Sequence, residues 1–202
     1  MIYRKYLKRV FDFIASLLGL IVLSPLFLVI AILIKLDDGG SIFFRQIRVG
    51  QYGKLFKIYK FRTMVENAEK LGAQVTKGDD PRITRVGKFL RKYKLDELPQ
   101  LINVLKGEMS LVGPRPEVPK FVKLFEEDYK EILQVKPGIT DYASLEFKDE
   151  NELLKGAENP EEVYIKEILS KKIEYYKKYL KDISFTTDLK IILKTIVEII
   201  RK

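Results

Sequence analysis

The longest uninterrupted apolar stretch runs from Phe13 to Ile34, with no charged side chain in it. At about 1.5 Å rise per residue, a helix of this length crosses the hydrocarbon core of a bilayer, and it is too long for an ordinary core helix. Two features argue against a plain crossing. Ser24-Pro25 sits in mid-segment, where proline removes one helical hydrogen bond and bends the chain. Basic residues flank both ends, Arg4, Lys5, Lys8 and Arg9 before and Lys35, Arg45 and Arg48 after, which puts both ends on the cytosolic side. The pattern predicts a re-entrant helical hairpin over residues 1–36, kinked at Ser24 and Pro25, with a plain transmembrane anchor as the alternative. No small-residue cleavage site follows, so a cleaved signal peptide is not expected.

Beyond residue 37 the periodicity changes. Ile42–Val49 and Leu55–Thr63 read as a β-hairpin turned at Gly50-Gln51-Tyr52-Gly53, and strand period puts Phe56, Ile58, Lys60 and Arg62 on one face. Glu66–Gln74 and Val86–Lys92 read as short helices separated by a loop over Lys77–Arg82, the second helix carrying Arg91. Asp96 then falls near the N-cap of a helix that tolerates Pro99 in its first turn and stops at Gly107. Val118–Leu133 reads as an amphipathic helix and Lys136-Pro137-Gly138 as a turn. Asn159 and Pro160 open a long helix whose Ile165, Leu169, Ile173, Tyr176 and Leu180 recur at core spacing. The last helix has a broad apolar face including Leu189, Leu193, Ile196 and Ile200, a basic stripe, and Thr187 or Asp188 as its cap. It lies in a membrane interface or packs on the soluble part. The fold class expected is α+β and mainly helical: a re-entrant helix, then a small cytosolic domain over 37–202 with a β-hairpin and amphipathic interfacial helices.

Charge narrows the partners. Lys and Arg total 37 against 28 Asp and Glu, a net +9, so phosphates, nucleic acid or an acidic membrane surface are favoured. A nucleic-acid binder needs no membrane segment, and Phe13–Ile34 argues against that class. The chain has no Cys and no His, which excludes disulfides, thiol nucleophiles, imidazole bases and the usual zinc sets. Any metal is held by oxygen ligands, with Mg²⁺ the default where phosphates are handled.

The acidic pair Asp96-Glu97 has an ordinary reading as helix capping. The functional reading rests on its surroundings: a helix N-terminus that gathers phosphates, with Arg91 just upstream. Carboxylates, cations and an open helix end are the parts of metal-assisted phosphoryl transfer. Downstream, Gly113-Pro114-Arg115-Pro116 holds Arg115 between two prolines, so its guanidinium is displayed on a stiff loop able to grip a phosphate, or merely sits in a surface turn.

Lys8-Arg9-Val10-Phe11-Asp12, Ser24-Pro25, Tyr59–Met64, Asp80–Gly87, Leu95–Gly107, Met109–Pro116 and Lys136–Thr140 occur in order along the whole chain. In these runs the sequence resembles the bacterial sugar transferases known as small monotopic phosphoglycosyl transferases, which prime polyprenyl-linked glycan assembly. The resemblance implies a re-entrant helix and a catalytic domain on the cytosolic face of the bacterial inner membrane. It also implies Mg²⁺, and a UDP-sugar and polyprenyl (undecaprenyl) phosphate as substrates beside anionic membrane lipids. The reaction implied is a two-step transfer through a covalent enzyme intermediate that releases UMP. Asp96 is then the nucleophile and Glu97 its partner, both near the metal, with Arg91, Arg115 and Lys60 as phosphate or metal-site neighbours; Arg62, on the strand face of Lys60, is a further candidate for binding substrate phosphate. The competing reading is a non-catalytic membrane-tethered binder of a phosphorylated lipid, and a homodimer is left open. Two departures from the family pattern stand out. Asp141–Lys148 replaces a run beginning with Gly, an aromatic and Ala-Gln-Val, and Tyr176 replaces an Asp three residues before a Tyr, so the role of that carboxylate is either absent or supplied from elsewhere, with Glu174 a candidate. Sugar identity stays open.

Overall fold

The computed structural model describes residues 2–68, 71, 80–147, 154 and 159–201. Most of the expected helix over 66–74 and part of the loop over 77–82 lie outside the described residues, as does part of the unusual 141–148 segment.

A π-helical turn, Tyr3–Leu7, leads into one helix, α1 (Lys8–Asp38), which ends at Gly39. The helix runs on through Ser24-Pro25. The reason is local. Pro25 has no N–H to give to the Ile21 carbonyl, and the Ser24 hydroxyl donates to that carbonyl instead, at 2.8 Å. Side chains such as Val10, Ile14, Ile21, Val22, Leu28 and Leu36 stay exposed along it.

Both ends of α1 are bonded to the same globular part. At the start, Lys8 reaches Asp188 at 2.5 Å, Arg9 donates to the Val104 and Leu105 carbonyls, and Asp12 accepts from the Leu111 amide. At the far end, Asp37 accepts from the Val86 amide and Asp38 from the Arg62 guanidinium. Between them Ile30 and Ile34 bury against Phe61 and Leu90. Thus Lys8 and Arg9, read from the sequence as flanking charges, also have structural partners.

The expected hairpin forms as antiparallel β1 (Phe43–Val49) and β2 (Leu55–Phe61), joined by a 3₁₀ turn at Gln51–Gly53. Its register puts Arg48 and Gln46 on the same face as Phe56, Ile58 and Lys60. Phe56 and Ile58 pack on Val104 and Met109. The outer edge of β2 is covered by one side chain: Asn103 accepts from the Tyr59 amide at 2.9 Å and donates to the Lys57 carbonyl at 2.9 Å.

α2 (Arg85–Lys92) is capped by Thr84, whose hydroxyl accepts from the Gly87 amide. Leu95–Glu97 is a 3₁₀ turn and α3 (Gln100–Lys106) follows, so the acidic pair precedes the α-helix instead of capping it. Gly107 ends α3 at φ 82°, a conformation only glycine adopts without strain, and Arg9 covers two of its last carbonyls.

Two three-residue strands, β3 (Ser110–Val112) and β4 (Gly138–Thr140), pair in parallel, so Gly138 belongs to a strand as well as to the expected turn. A side chain at Gly138 would lie 2.1 Å from the Gly113 nitrogen; only glycine allows this approach. The expected single helix over 118–133 is two, α4 (Pro119–Leu124) and α5 (Glu126–Ile132), broken at Phe125. α6 (Tyr142–Glu146) follows β4.

The long helix opens at the Asn159 cap as α7 (Pro160–Val163), passes through a π-helical stretch, Tyr164–Leu169, and continues as α8 (Ser170–Asp182). Its Ile168, Leu169, Ile173 and Tyr176 join Phe121, Tyr129 and Ile132 in the main core. In α9 (Phe185–Ile200) the cap is Ser184, not Thr187 or Asp188. Asp188 is fully buried and accepts from Tyr3, Lys8 and Tyr179. Ile191 packs inward, while Phe185, Leu193, Ile196 and Ile200 remain exposed.

Candidate active site

Three structural units converge on the acidic pair. The left-handed Lys94 (φ 55°) turns the chain out of α2 into the Leu95–Glu97 turn. That backbone is unusual for a side-chain-bearing residue, and such conformations gather at functional sites. In a 3₁₀ turn successive residues point about 120° apart, so Asp96 and Glu97 face different surroundings.

Glu97 is held. Its Oε1 accepts from Lys60 at 2.8 Å and from Arg115, and its Oε2 accepts from Arg115 at 3.1 Å. Burial works to raise its pKa, but the charges of Arg115 and then Lys60 outweigh it and hold the carboxyl well below the usual range. Asp96 is not held. It is 8 % exposed, and its carboxylate makes no hydrogen bond among the described residues. Burial, then the neighbouring Glu97 charge, push its pKa up, against the pull of Lys60 and Arg91.

The cations come from separate elements. Lys60 is on the inner face of β2, and Arg115 is on the stiff loop between β3 and α4. Burial lowers the Lys60 pKa while Glu97 opposes the shift. Arg91 projects from the last turn of α2, where its Nε–H donates to the Thr63 hydroxyl at 2.8 Å and its charge bears on Asp96. Arg62 shares the strand period of Lys60, but its guanidinium meets Asp38 and its N–H groups also reach the Ser41 and Met64 carbonyls. The structure thus gathers Asp96, Glu97, Lys60, Arg91 and Arg115, and puts Arg62 at the foot of α1. Ser24 and Pro25 lie in the middle of α1.

Sequence reading missed Arg48, which it took only for a flanking charge. Its side chain donates to the Pro116 carbonyl at 3.1 Å and lies 3.6 Å from buried Glu117, beneath the Arg115 loop. Strand pairing with β2 was the signal, since Arg48 is opposite Phe56 on the face that carries Lys60. Asp141 was read only as part of an atypical segment. It is 1 % exposed and accepts from the Arg115 amide at 3.0 Å and the Ser144 amide at 2.5 Å. Its charge bears on Tyr176, so the two departures from the family pattern meet in space, whereas Glu174 is exposed.

Among the described residues no three carboxylates form a metal cluster. Asp96 and Glu97 nevertheless fit a Mg²⁺ site of the usual kind, in which one or two carboxylates share the ion with substrate phosphates.

The fold and site define a helical α+β chain with a bilayer-length apolar helix and an acid pair ringed by Lys60, Arg91 and Arg115. Such a set of groups suits charge-rich phosphoryl chemistry. The chain belongs to the bacterial sugar transferase family, whose sequence pattern matches residues 3–202. It is 42% identical over 197 residues to a UDP-N-acetylgalactosamine-undecaprenyl-phosphate N-acetylgalactosaminephosphotransferase of Aeromonas hydrophila, covering 95% of this chain and 43% of that protein. It is 45% identical over 148 residues to the exopolysaccharide production protein ExoY of Sinorhizobium fredii, covering 66% of each. A UDP-glucose:undecaprenyl-phosphate glucose-1-phosphate transferase of Klebsiella pneumoniae is 43% identical over 199 residues, covering 94% of this chain and 39% of that protein. The chain therefore spans less than half the length of the Aeromonas and Klebsiella relatives.

Proposed function

We propose that this chain transfers a sugar 1-phosphate from a UDP-sugar to undecaprenyl phosphate, giving a polyprenyl diphosphate sugar and UMP. The observation that carries the reading is the division between the two acids. Glu97 is fixed by Lys60 and Arg115, while Asp96 beside it has a carboxylate engaged by no hydrogen bond among the described residues. A nucleophile needs a free lone pair, and an orienting group needs firm partners.

In the first step an Asp96 oxygen attacks the phosphorus that bears the sugar. The bond from that phosphorus to the UMP oxygen breaks, UMP leaves with the electron pair, and an acyl phosphate remains on Asp96. In the second step an oxygen of the lipid phosphate attacks the same phosphorus. The Asp96 bond breaks, the diphosphate forms, and the carboxylate is restored. A carboxylate approaching an anionic diphosphate is repelled, and Lys60, Arg91 and Arg115 offset that charge. Glu97 keeps Lys60 and Arg115 aimed at the site. When bound, Mg²⁺ supplies further charge neutralisation, with Asp96 and Glu97 as its protein ligands.

The reaction is set on the cytosolic face of the bacterial inner membrane, with α1 re-entrant. Bonding of both ends of α1 to one globular part supports this topology, because a crossing helix delivers its ends to opposite faces. The exposed apolar side chains of α9 and the net positive charge support contact with anionic lipids.

The test is to mix detergent-solubilised protein with Mg²⁺ and a UDP-sugar labelled in its sugar, without lipid acceptor, and to quench in acid. Label on the wild type but not on Asp96→Asn supports the covalent route. Kinetics that need both substrates bound before UMP leaves, with no label on the protein, replace it with direct transfer. No UMP from any UDP-sugar, even with the acceptor present, leaves the tethered lipid binder as the reading.

A further inference from the structure

The Gly113–Pro116 loop carries Arg115 into the site, and its two prolines impose an unusual economy of hydrogen bonds. Pro114 and Pro116 have no N–H, so Arg115 is the one backbone donor among residues 114–116. Its amide donates to Asp141 Oδ2 at 3.0 Å. The other oxygen of the same carboxylate accepts from the Ser144 amide at 2.5 Å, capping α6. Asp141 is 1 % exposed, so water does not compete for either bond.

The rest of the loop is held by the Gly113 amide, which donates to the Thr140 carbonyl at 3.0 Å, and by its carbonyls. Pro114 accepts from the Gly138 amide at 2.9 Å, and Pro116 from Arg48 at 3.1 Å. None of these bonds is made at the residue whose side chain enters the site. The Asp141 bond is, and it fixes the peptide from which the Arg115 side chain springs toward Glu97.

We infer that Asp141 is the positioning residue for Arg115: its two oxygens tie the Arg115 backbone to the start of α6, which aims the guanidinium at Glu97 and the substrate phosphates. This rests on the transferase reading above for what the aimed guanidinium does. The alternative is that Asp141 serves only as a helix cap. The two differ on one substitution. Asn is as good an N-cap as Asp, but the two amides meet different oxygens of Asp141, and in Asn one of those positions becomes an NH₂ donor that cannot accept from the amide facing it.

The experiment uses the full chain in detergent with UDP-sugar, polyprenyl phosphate and Mg²⁺, comparing wild type, Asp141→Asn, Arg115→Lys and the double variant. Asp141→Asn is expected to lower kcat/KM for UMP release about 10- to 100-fold. In the Arg115→Lys background the same change should have little further effect, because the aim of a lost fork no longer matters. Amide hydrogen exchange is read on the same proteins. Exchange in the 113–118 peptide should speed up in Asp141→Asn while the 142–147 peptide keeps its protection. Unchanged kcat/KM overturns the proposal, as does an equal fall in both backgrounds or unaltered exchange at 113–118. If wild type releases no UMP from any UDP-sugar, the transferase reading fails, and the exchange measurement still decides whether Asp141 holds the loop.

Discussion

Arg115 and Lys60 both bond Glu97, but in different ways. Arg115 gives a two-pronged fork to both carboxylate oxygens, whereas Lys60 gives one N–H at 2.8 Å. Arg115→Lys keeps the charge and loses the fork, so UMP release should fall about tenfold or more while the melting temperature barely moves. An unaltered rate would make Arg115 a surface-turn residue. Arg62 should behave in the opposite way. Its hydrogen bond to Asp38 holds the Asp38 carboxyl below the usual aspartate pKa of 3.8. A carboxyl with a depressed folded pKa adds stability above its unfolded value and loses it as pH falls through the folded one. The stability gap between wild type and Asp38→Asn should therefore hold at neutral pH and close as pH falls below 3.8, read by thermal melts across pH. A gap independent of pH would remove the ion pair from the account. Lys60 and Arg62 share a strand period, and that is all the sequence conveys. They part because β2 ends at Phe61 and the end of α1 brings Asp38 to Arg62, a long-range meeting that no local pattern encodes.

Among the elements, the hairpin, α2 and the long C-terminal helices were legible because each carries several turns of one period. β3 and β4 were not, since three residues are too few to show alternation. The break at Phe125 was hidden for another reason: Phe121 of α4 and Tyr129 and Ile132 of α5 face the same core, so one apolar stripe runs across two helices. Asn103 is a polar residue on α3 with no local pattern to mark it. Its side chain in fact completes the edge of β2, and Asn103→Ala leaves the Tyr59 amide and Lys57 carbonyl without that partner. At about 1–3 kcal/mol for each of the two orphaned groups where water does not reach them, the variant should lose up to about 6 kcal/mol in denaturant unfolding. A loss under about 0.5 kcal/mol would mean water takes over both bonds.

For the whole molecule the membrane arrangement is the main prediction. Cysteines introduced at positions 2 and 202, in a chain with no native Cys, should both be labelled only from inside the cell. Labelling of position 2 from outside alone would contradict the re-entrant topology. Combining Pro25→Leu with Asp188→Asn removes the proline from the middle of α1 and weakens the hold on its start, so a fraction labelled from outside should appear. The apolar segment and its flanking charges were plain in the sequence. The bonds of Lys8 to a carboxylate, of Arg9 to carbonyls and of Asp12 to an amide were not, because each depends on chain nearly a hundred residues away or more.

That distance gives the hold on the start of α1 a schedule. Tyr3 and Asp188 are 185 positions apart, and at the usual pace of synthesis, about 5–20 residues per second, roughly 10–40 s pass between their appearances. In the proposed membrane arrangement the apolar segment is made early in that interval, with its last fastening not yet made. In that arrangement the face its first residues have reached by then is the face on which α9 has to fold, so the order of synthesis, as well as the finished set of bonds, bears on which way round a molecule is assembled.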